Sequence, residues 1–241
     1  MKTFRRFIRF LDRTTDIAAF LVCLLLFMIG MYSVYDTYLM FQEATDDTIL
    51  KFKPGYEGER IEDGREILSS MAAWITIDGT TIDYPVMQGK DNIEFLNKDP
   101  FGEFSLTGSI FLDSRNSNDF TDYYSLIYGH HMDEGAMFGA LDDFIKQDYL
   151  LEHPTGTLVV GDLTYEIRLY ASFYAQATEK AIFSPTEFDS EVQEFVMEHA
   201  EAVNSKYLPD EDDRLIALST CRFPESAERT IVIGTLSPMP K

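Results

Sequence analysis

The sequence predicts a mainly β domain behind one N-terminal transmembrane helix. The helix is predicted from the uncharged apolar run 17–35, which would extend about 28 Å and so match the hydrocarbon core of a bilayer. The β domain is predicted from short runs of β-branched and aromatic residues separated by turn residues, beginning at Trp74. Apolar residues make up 45% of the 241-residue chain, enough for a packed core.

The charges that flank the apolar run predict its orientation. Basic residues predominate before it, and acidic residues follow it from Asp36 onwards. By the positive-inside rule, the N-terminus is expected in the cytoplasm and the remaining chain outside the cell. A cleaved signal peptide is the competing interpretation. Residues 32–35 offer no small-x-small cleavage site, so a single-pass anchor that stays in the cell membrane is favoured.

The composition narrows the range of partners. The chain carries 20 Lys and Arg against 41 Asp and Glu, a formal charge of −21. Such an acidic surface disfavours nucleic acid and anionic lipid as ligands. A solvated acidic exterior explains the charge, and no cationic substrate follows from it.

The segments between the anchor and the chain end have distinct patterns. Residues 37–48 and 61–73 are candidate helices in a stalk that spans 36–72. A two-residue type II′ turn at Gly161-Asp162 predicts a hairpin over 157–176. A helix over 190–205 is predicted from the capping box of Ser190 with Gln193 and from an apolar stripe that includes His199. The other predicted strands are 74–77, 82–87, 108–112, 125–130, 215–220 and 230–236.

The two cysteines of the chain are in very different settings. Cys23 lies inside the apolar run, so Cys221 is the only thiol of the external part and no disulfide can form there. Cys221 ends a β-rich run, and Arg229 begins the next. If these strands pair as antiparallel neighbours, Cys221 and Arg229 meet at one end of the sheet. A guanidinium there can favour the thiolate and can hydrogen-bond an oxyanion.

A reactive thiol needs an acid–base partner, and the chain has four histidines. His199 belongs to the predicted helix stripe, and His153 precedes a proline in a polar turn. His130 and His131 come at the tip of a predicted strand, directly after Gly129. Because side chains alternate along a strand, only one of this pair is expected to face Cys221. The residues alone do not choose between them.

Several motifs resemble those of the sortase family, over roughly residues 70–237. Leu-Ser-Thr-Cys at 218–221 with Arg229 resembles the family's cysteine signature, although position 217 is Ala rather than the usual Thr. Tyr-Gly-His at 128–130 resembles its histidine motif. The long helix predicted before the cysteine strand resembles class B members. Further sortase-like segments are 74–77, 82–88, 91–92, 108–113 and 137–139.

The resemblance implies an eight-stranded β-barrel with peripheral helices and a transpeptidation chemistry. It implies Cys221 as nucleophile, His130 rather than His131 as acid–base, and Arg229 as the residue that positions the peptide and stabilises the oxyanion. The substrate implied is a secreted protein with a C-terminal sorting signal of the [N/L]-P-x-T-[N/G/S] kind. The acceptor implied is an amine of the peptidoglycan precursor or of a pilin. By matching positions, the resemblance implies that the peptide groove is lined by Asn92, Leu96 and Ser219.

Some features depart from the family pattern or leave alternatives open. Arg222 is a second candidate for the arginine role, with Arg229 favoured. His131 stands where many relatives carry Asn and is expected to be a spectator that alters the pH profile. No acidic loop matches a family calcium site, so neither metal nor cofactor is expected. A pilin-polymerising sortase, a cysteine hydrolase and a non-catalytic adhesion module are the rival functions.

These expectations divide the chain into four parts. A basic cytoplasmic tail covers 1–16, the transmembrane anchor 17–35, the stalk with its helices 36–72, and the catalytic domain 73–241.

Overall fold

The N-terminal part of the chain is one long helix. The structure, a computed structural model, describes residues 2–44, 47–58, 65–187, 191–221 and 226–240. It divides into a unit Met1–Glu43 and a unit Ala44–Lys241. The first helix, α1, spans Lys2–Ala44, and its 30-residue stretch Arg13–Gln42 contains an 18-residue window of mean hydropathy 2.5. This helix is long and apolar enough to cross a membrane, which suggests a single-pass membrane protein. The candidate helix over 37–48 continues α1 as far as Ala44, and a 3-10 helix occupies Asp47–Phe52.

The second unit contains a closed β-barrel. Eight strands pair in the ring β5-β1-β2-β3-β4-β8-β9-β6, and β6 pairs back with β5 to close it. A ninth described strand, β7, pairs with the outer edge of β6. The strands are β1 Met71–Ile77, β2 Asp83–Met87, β3 Ile110–Leu112, β4 Tyr124–Tyr128, β5 Thr155–Val160, β6 Leu163–Gln176, β7 Ala200–Val203, β8 Arg214–Cys221 and β9 Glu228–Pro238. The predicted eight-stranded barrel with peripheral helices is therefore confirmed.

Apolar residues on both faces of the central strands explain the near-continuous hydrophobic runs in the sequence. All eight barrel strands contribute to the interior cluster, to which β8 supplies Ile216 and Leu218. The alternate residues of β8, Leu215 and Ala217, face outward into a second cluster. Helices α3 Lys180–Phe183 and α4 Val192–His199 contribute apolar side chains to that outer cluster, while the short helix α2 Gln147–Glu152 adds Leu150 to the interior one. The end of β8 is thus held by packing on both sides.

The predicted hairpin forms as expected. Strands β5 and β6 flank Gly161-Asp162, and Val160 pairs with Leu163. Gly161 has a φ of +57°, whereas Asp162 is not among the residues with positive φ. One positive φ at the first turn position is what a type II′ turn requires, and glycine adopts it without steric cost.

Two of the predicted helices are wrong in whole or in part. Within the described part of 61–73, no helix forms, because from Met71 the chain pairs with β2 as β1. The predicted helix 190–205 ends at His199, and the chain then turns into β7, whose ladder bonds to β6 replace further helical bonds. His199 is exposed and stacks on Phe195, with ring centroids 4.1 Å apart, rather than joining the core. Ser190 of the predicted capping box lies outside the described residues.

A half-buried polar cluster connects the first barrel strands to the segment before them. Asp83 of β2 accepts hydrogen bonds from Lys53 Nζ at 2.8 Å, from Trp74 Nε1 at 2.6 Å and from Thr76 Oγ1 at 2.9 Å. Trp74 is fully buried, so its indole N–H depends on Asp83. An indole N–H buried without a partner would be costly.

We expect Asp83→Ala to lower the free energy of unfolding by about 1–3 kcal/mol, because it leaves the Trp74 N–H unpaired. Trp74 is the only tryptophan of the chain. Its fluorescence during urea unfolding of the full chain in detergent micelles therefore reports on the barrel. Asp162→Ala, which removes an exposed carboxylate from the hairpin turn, serves as the control and should shift the midpoint little. Equal midpoints for the two variants would contradict the role of Asp83.

Candidate active site

Cys221 and Arg229 lie opposite each other at the end of the β8–β9 ladder. The antiparallel register pairs Cys221 with Arg229 and Thr220 with Thr230. Cys221 is half-buried, whereas Leu215 to Thr220 are buried. Directly opposed residues have Cβ atoms about 5 Å apart, so the thiol and the guanidinium stem share one face of the sheet. The proximity expected from the sequence is present.

His130 reaches the same end of the barrel because β4 runs parallel to β8. Tyr128 pairs with Ser219, so His130, two residues after Tyr128, falls level with Cys221, two residues after Ser219. The Gly129 N–H donates to the Ser219 carbonyl at 3.0 Å, and Thr220 Oγ1 donates to the Gly129 carbonyl at 3.0 Å. Parallel strands end at the same edge, which is why the histidine and the cysteine meet.

Gly129 is required by packing rather than by an unusual backbone angle. A Cβ built at this position would lie 2.5 Å from Ile110 Cδ1 and 2.6 Å from Phe138 Cγ. Real Cβ atoms do not approach so closely, and the interior is too densely packed to yield freely. Because Gly129 has no side chain, the backbone after β4 can pack closely against Ile110 and Phe138, and His130 follows directly.

The imidazole of His130 is held by a backbone carbonyl. Its Nε2 lies 2.8 Å from the Leu96 carbonyl oxygen. Since a carbonyl only accepts, Nε2 carries the proton and Nδ1 is the nitrogen that can exchange one in the neutral ring. Within the described residues His130 makes no hydrogen bond to Cys221.

Arg229 has a charge that no described carboxylate neutralises. Its Nη1 donates to the backbone carbonyl oxygens of Ser226 and Glu228. Both acceptors are neutral, so within the described part of the chain no ion pair offsets the positive charge of the guanidinium. The remaining donors can serve a ligand carbonyl or oxyanion. Arg222, the second arginine candidate, lies outside the described residues.

All three side chains border one cavity of about 360 Å³. Each of the six site residues predicted from the sequence lines it. The lining comprises Asn92, Leu96, Phe111, Arg115, Tyr128, Gly129, His130, Ala177, Phe183, Ser219, Thr220, Cys221 and Arg229. Strands β3, β4, β8 and β9 form its base, and the segments around Leu96 and Phe183 form its walls. Among the described residues no group of three or more metal-ligating side chains occurs.

A buried carboxylate supports one wall of the cavity. Asp113 is fully buried and accepts from Arg115 Nε and Nη2 at 2.9 and 2.7 Å, from Tyr128 Oη at 2.9 Å and from Asn92 Nδ2 at 2.8 Å. Burial alone would raise the pKa of Asp113, but these hydrogen bonds outweigh it and lower the pKa below its usual value. Burial, with the adjacent Asp113 carboxylate, raises the pKa of Tyr128 far above its usual value, so Tyr128 stays a neutral donor.

The three predicted groove residues differ in what they can offer a ligand. Asn92 has a committed side chain, because its Nδ2 donates to Asp113 and its Oδ1 accepts from the Ser114 N–H at 2.7 Å. Leu96 presents its side chain while its carbonyl holds His130. The Ser219 hydroxyl is buried and has no hydrogen-bond partner among the described residues. Of the three, Ser219 has the free polar group.

The sequence interpretation missed part of the lining. Arg115 and Phe183 were not singled out, and Arg115 Nη2 also donates to the Phe183 carbonyl at 2.7 Å, which ties α3 to the cavity wall. One sequence signal was available for the ion pair of Arg115 with Asp113. Asp113 directly follows the predicted strand 108–112, and Arg115 comes two residues later. Nothing in the sequence pattern brings Phe183, about 70 residues further on, to the same wall.

The other histidines lie away from the cavity. His131 turns to the opposite side, where its Nε2 is 2.8 Å from Asp142 Oδ2. The His153 ring packs against Tyr149 with ring centroids 4.3 Å apart. His199 is on α4, and neither it nor His153 lines the cavity. His130 thus lines the cavity with Cys221, whereas its neighbour His131 lies on the other side.

A known protein family matches the part of the chain that contains the cavity. A family model described as "Sortase domain" matches residues 75–237, more than half of the chain. The chain belongs to the sortase family. Sortases are cysteine transpeptidases, and the matched range contains the whole thiol–imidazole–guanidinium set.

Individual relatives place this sortase in class B. It is 34% identical to Sortase B of Listeria monocytogenes over 186 residues, an alignment that covers 74% of each chain. A Streptococcus pyogenes class B sortase involved in pilus biogenesis superposes with a TM-score of 0.64 at 35% identity, over 71% of this chain and 94% of that one. A Staphylococcus aureus sortase B–substrate complex superposes with a TM-score of 0.65 at 28% identity, over 72% and 82%.

We expect Gly129→Ala to lower the kcat of this sortase by about 10-fold or more, since misplacing a reacting group by about 1 Å can cost as much as 100-fold. The reason is that the new methyl group must push the His130 backbone away from Ile110 and Phe138. Steady-state cleavage of a fluorogenic sorting peptide measures the effect.

Gly161→Ala is the matched control for this prediction. It strains the hairpin turn, whose φ is +57°, but lies in open space with nothing within 4 Å. It should lose some stability and keep its kcat. Wild-type kcat in Gly129→Ala would show that the close packing does not position His130.

Proposed function

We propose that this chain anchors secreted proteins to the cell surface by cleaving a C-terminal sorting signal of the [N/L]-P-x-T-[N/G/S] kind after its Thr. The acylated protein is then transferred to an amine of the peptidoglycan precursor. One observation carries the proposal: Cys221, which is half-buried, His130, which a carbonyl holds, and Arg229, whose charge no described carboxylate neutralises, all border one cavity.

The proposed reaction begins with attack of the Cys221 thiolate on the Thr carbonyl carbon. The carbonyl electron pair moves to oxygen, and the oxyanion is stabilised by the Arg229 guanidinium, whose charge no described carboxylate cancels. When the intermediate collapses, the C–N bond breaks and the leaving amine takes a proton from the imidazolium of His130. A thioacyl enzyme and a free amine result.

Transfer follows the same path in reverse. An acceptor amine attacks the thioacyl carbon and gives its proton to the neutral His130, and the Cys221 thiolate leaves as the new amide forms. Water can take the place of the amine, so hydrolysis is the side reaction of the same intermediate. The Leu96 carbonyl supports this role for His130 because it holds the ring in place through both steps.

The groove residues have different proposed roles. Ser219 contacts the peptide through its hydroxyl, which has no partner among the described residues, and Leu96 offers an apolar contact. Asn92 lines the groove as part of the Asp113 cluster, so its amide shapes the wall rather than binding the peptide directly.

The placement in the membrane follows from the flanking charges. We assign 1–16 to the cytoplasm, 17–35 to the membrane, 36–72 to a stalk and 73–241 to an extracellular catalytic domain. The apolar exposed helix α1 supports this division, although it continues past residue 35 without interruption.

The alternative function is polymerisation of pilins, in which a lysine side chain replaces the cell-wall amine. Its support is the similarity to a class B sortase described as involved in pilus biogenesis. The same three residues would serve both reactions, since only the second nucleophile differs.

We expect a covalent adduct on Cys221 when the full chain in detergent micelles meets a matching sorting peptide, detected by intact-protein mass spectrometry. Cys221→Ala should form none, whereas Cys23→Ala, which removes the cysteine of the apolar helix, should behave as wild type. His130→Ala and Arg229→Ala should each lower turnover at least about 100-fold. Absence of an adduct with every peptide of the proposed kind would refute the sorting-signal proposal.

Product analysis with competing amines distinguishes the cell-wall acceptor from the pilin acceptor. We expect the acyl group of a sorting peptide to appear mainly on a peptidoglycan-type amine when it is offered together with a lysine-containing pilin peptide. Liquid chromatography with mass spectrometry quantifies both amides and the hydrolysed acid. Preferential transfer to the lysine side chain would favour the pilin alternative instead.

A further inference from the structure

A second layer of polar contacts lies on the far side of the sheet from the cavity. Because side chains alternate, Thr220 and Thr230 face away from the cross-strand pair Cys221 and Arg229. Thr230 Oγ1 donates to Asp142 Oδ1 at 2.9 Å, and Asp142 Oδ2 lies 2.8 Å from His131 Nε2. One carboxylate therefore uses both of its oxygens to join two separate segments.

One of these segments contains His130, the proposed acid–base residue, and the other contains Arg229, the proposed oxyanion-binding residue. His131 directly follows His130, and Thr230 directly follows Arg229. Thr230 is fully buried, so its hydroxyl depends on the Asp142 acceptor. The link through Asp142 fastens the backbone at His130 to the backbone at Arg229.

The backbone after His130 depends on contacts with other parts of the chain. Glu134 and Met137 both have positive φ, 57° and 52°, which is an unfavourable conformation for residues with a side chain. The bends are held by a hydrogen bond from the Phe138 N–H to the His130 carbonyl at 3.1 Å and from the Met137 N–H to Tyr84 Oη at 3.1 Å. Strain of this kind persists only where surrounding contacts maintain it.

We propose that Asp142 and His131 form a positioning pair that keeps His130 aligned with Arg229 beside Cys221. This inference rests on the proposed roles of those three residues. It also departs from the sequence-based expectation that His131 is a spectator.

The partial exposure of His131 and Asp142 distinguishes a role in positioning His130 from a role in stabilising the fold. The side chains of His131 and Asp142 are 17% and 42% exposed, and an ion pair that is partly exposed to solvent contributes only modestly to the free energy of unfolding. Its geometric effect is larger, because it sets the direction in which the chain leaves Gly129. Loss of the pair should therefore lower turnover far more than stability.

The test measures kcat and KM of the full chain in detergent micelles with a fluorogenic sorting peptide. We expect Asp142→Ala and His131→Ala to lower kcat by about 10-fold or more, with KM changed less than about two-fold. His131→Gln, whose amide can donate to Asp142, should retain at least about half of the wild-type kcat. Unfolding midpoints recorded in parallel should remain close to wild type in His131→Ala and His131→Gln. Asp142→Ala should lower the midpoint as well, because it also leaves the buried Thr230 hydroxyl unpaired.

Asp143→Ala is the matched control. It removes the neighbouring acid of the same 3-10 helix, Gly139–Ile145, whose partner is the exposed Lys146 at 2.8 Å. Its kcat should equal that of wild type. Wild-type kcat in Asp142→Ala, or equal losses in His131→Gln and His131→Ala, would overturn the positioning role.

Alkylation of Cys221 tests the same inference without any peptide. The rate of reaction with iodoacetamide at pH 7, read by peptide mass spectrometry, depends on the groups beside the thiol. We expect the rate in Asp142→Ala to move from the wild-type value towards that of His130→Ala. Equality of Asp142→Ala with wild type, while His130→Ala differs, would refute the positioning pair. Equality of wild type with both His130→Ala and Arg229→Ala would refute the proposed catalytic set itself.

Discussion

The pairing of β8 with β4 on one side and β9 on the other is the constraint on which the site depends. The first pairing is parallel and the second antiparallel, so the end of β4, the end of β8 and the start of β9 meet at one edge of the barrel. The apolar residues that bury both faces of β8 hold this edge in register. A slip of one residue would turn Cys221 to the wrong face, which makes register as important as residue identity.

The cavity combines a rigid wall with an available charge. Asp113 is neutralised and saturated by hydrogen bonds, and it fixes Tyr128 and Arg115 in place. Arg229, by contrast, is bonded only to backbone carbonyls within the described residues. This contrast suits transpeptidation, because preorganised groups stabilise developing charge without having to move during the reaction.

Secondary structure was predictable where local pattern and tertiary context agree. The β5–β6 hairpin follows from its glycine turn and its period of two. The helix over 190–205 was overestimated because pattern alone cannot show that β6 has a free outer edge. Backbone pairing of Ala200–Val203 with that edge ended the helix at His199. The helix predicted over 61–73 fails in its described part for the same reason, since the partner strand of Met71 comes later in the chain.

The sequence by itself determined the candidate membrane-spanning segment, the single cysteine outside that segment, and the candidate residues His130 and Arg229. These depend on composition, on order along the chain and on motifs that resemble the sortase family. Only the tertiary structure decided that His130 is held by the Leu96 carbonyl, that Asn92 is committed to Asp113, and that Asp142 bridges His131 and Thr230. Such contacts join residues up to about 90 positions apart, and their partners are selected by barrel closure and register, which no local pattern encodes.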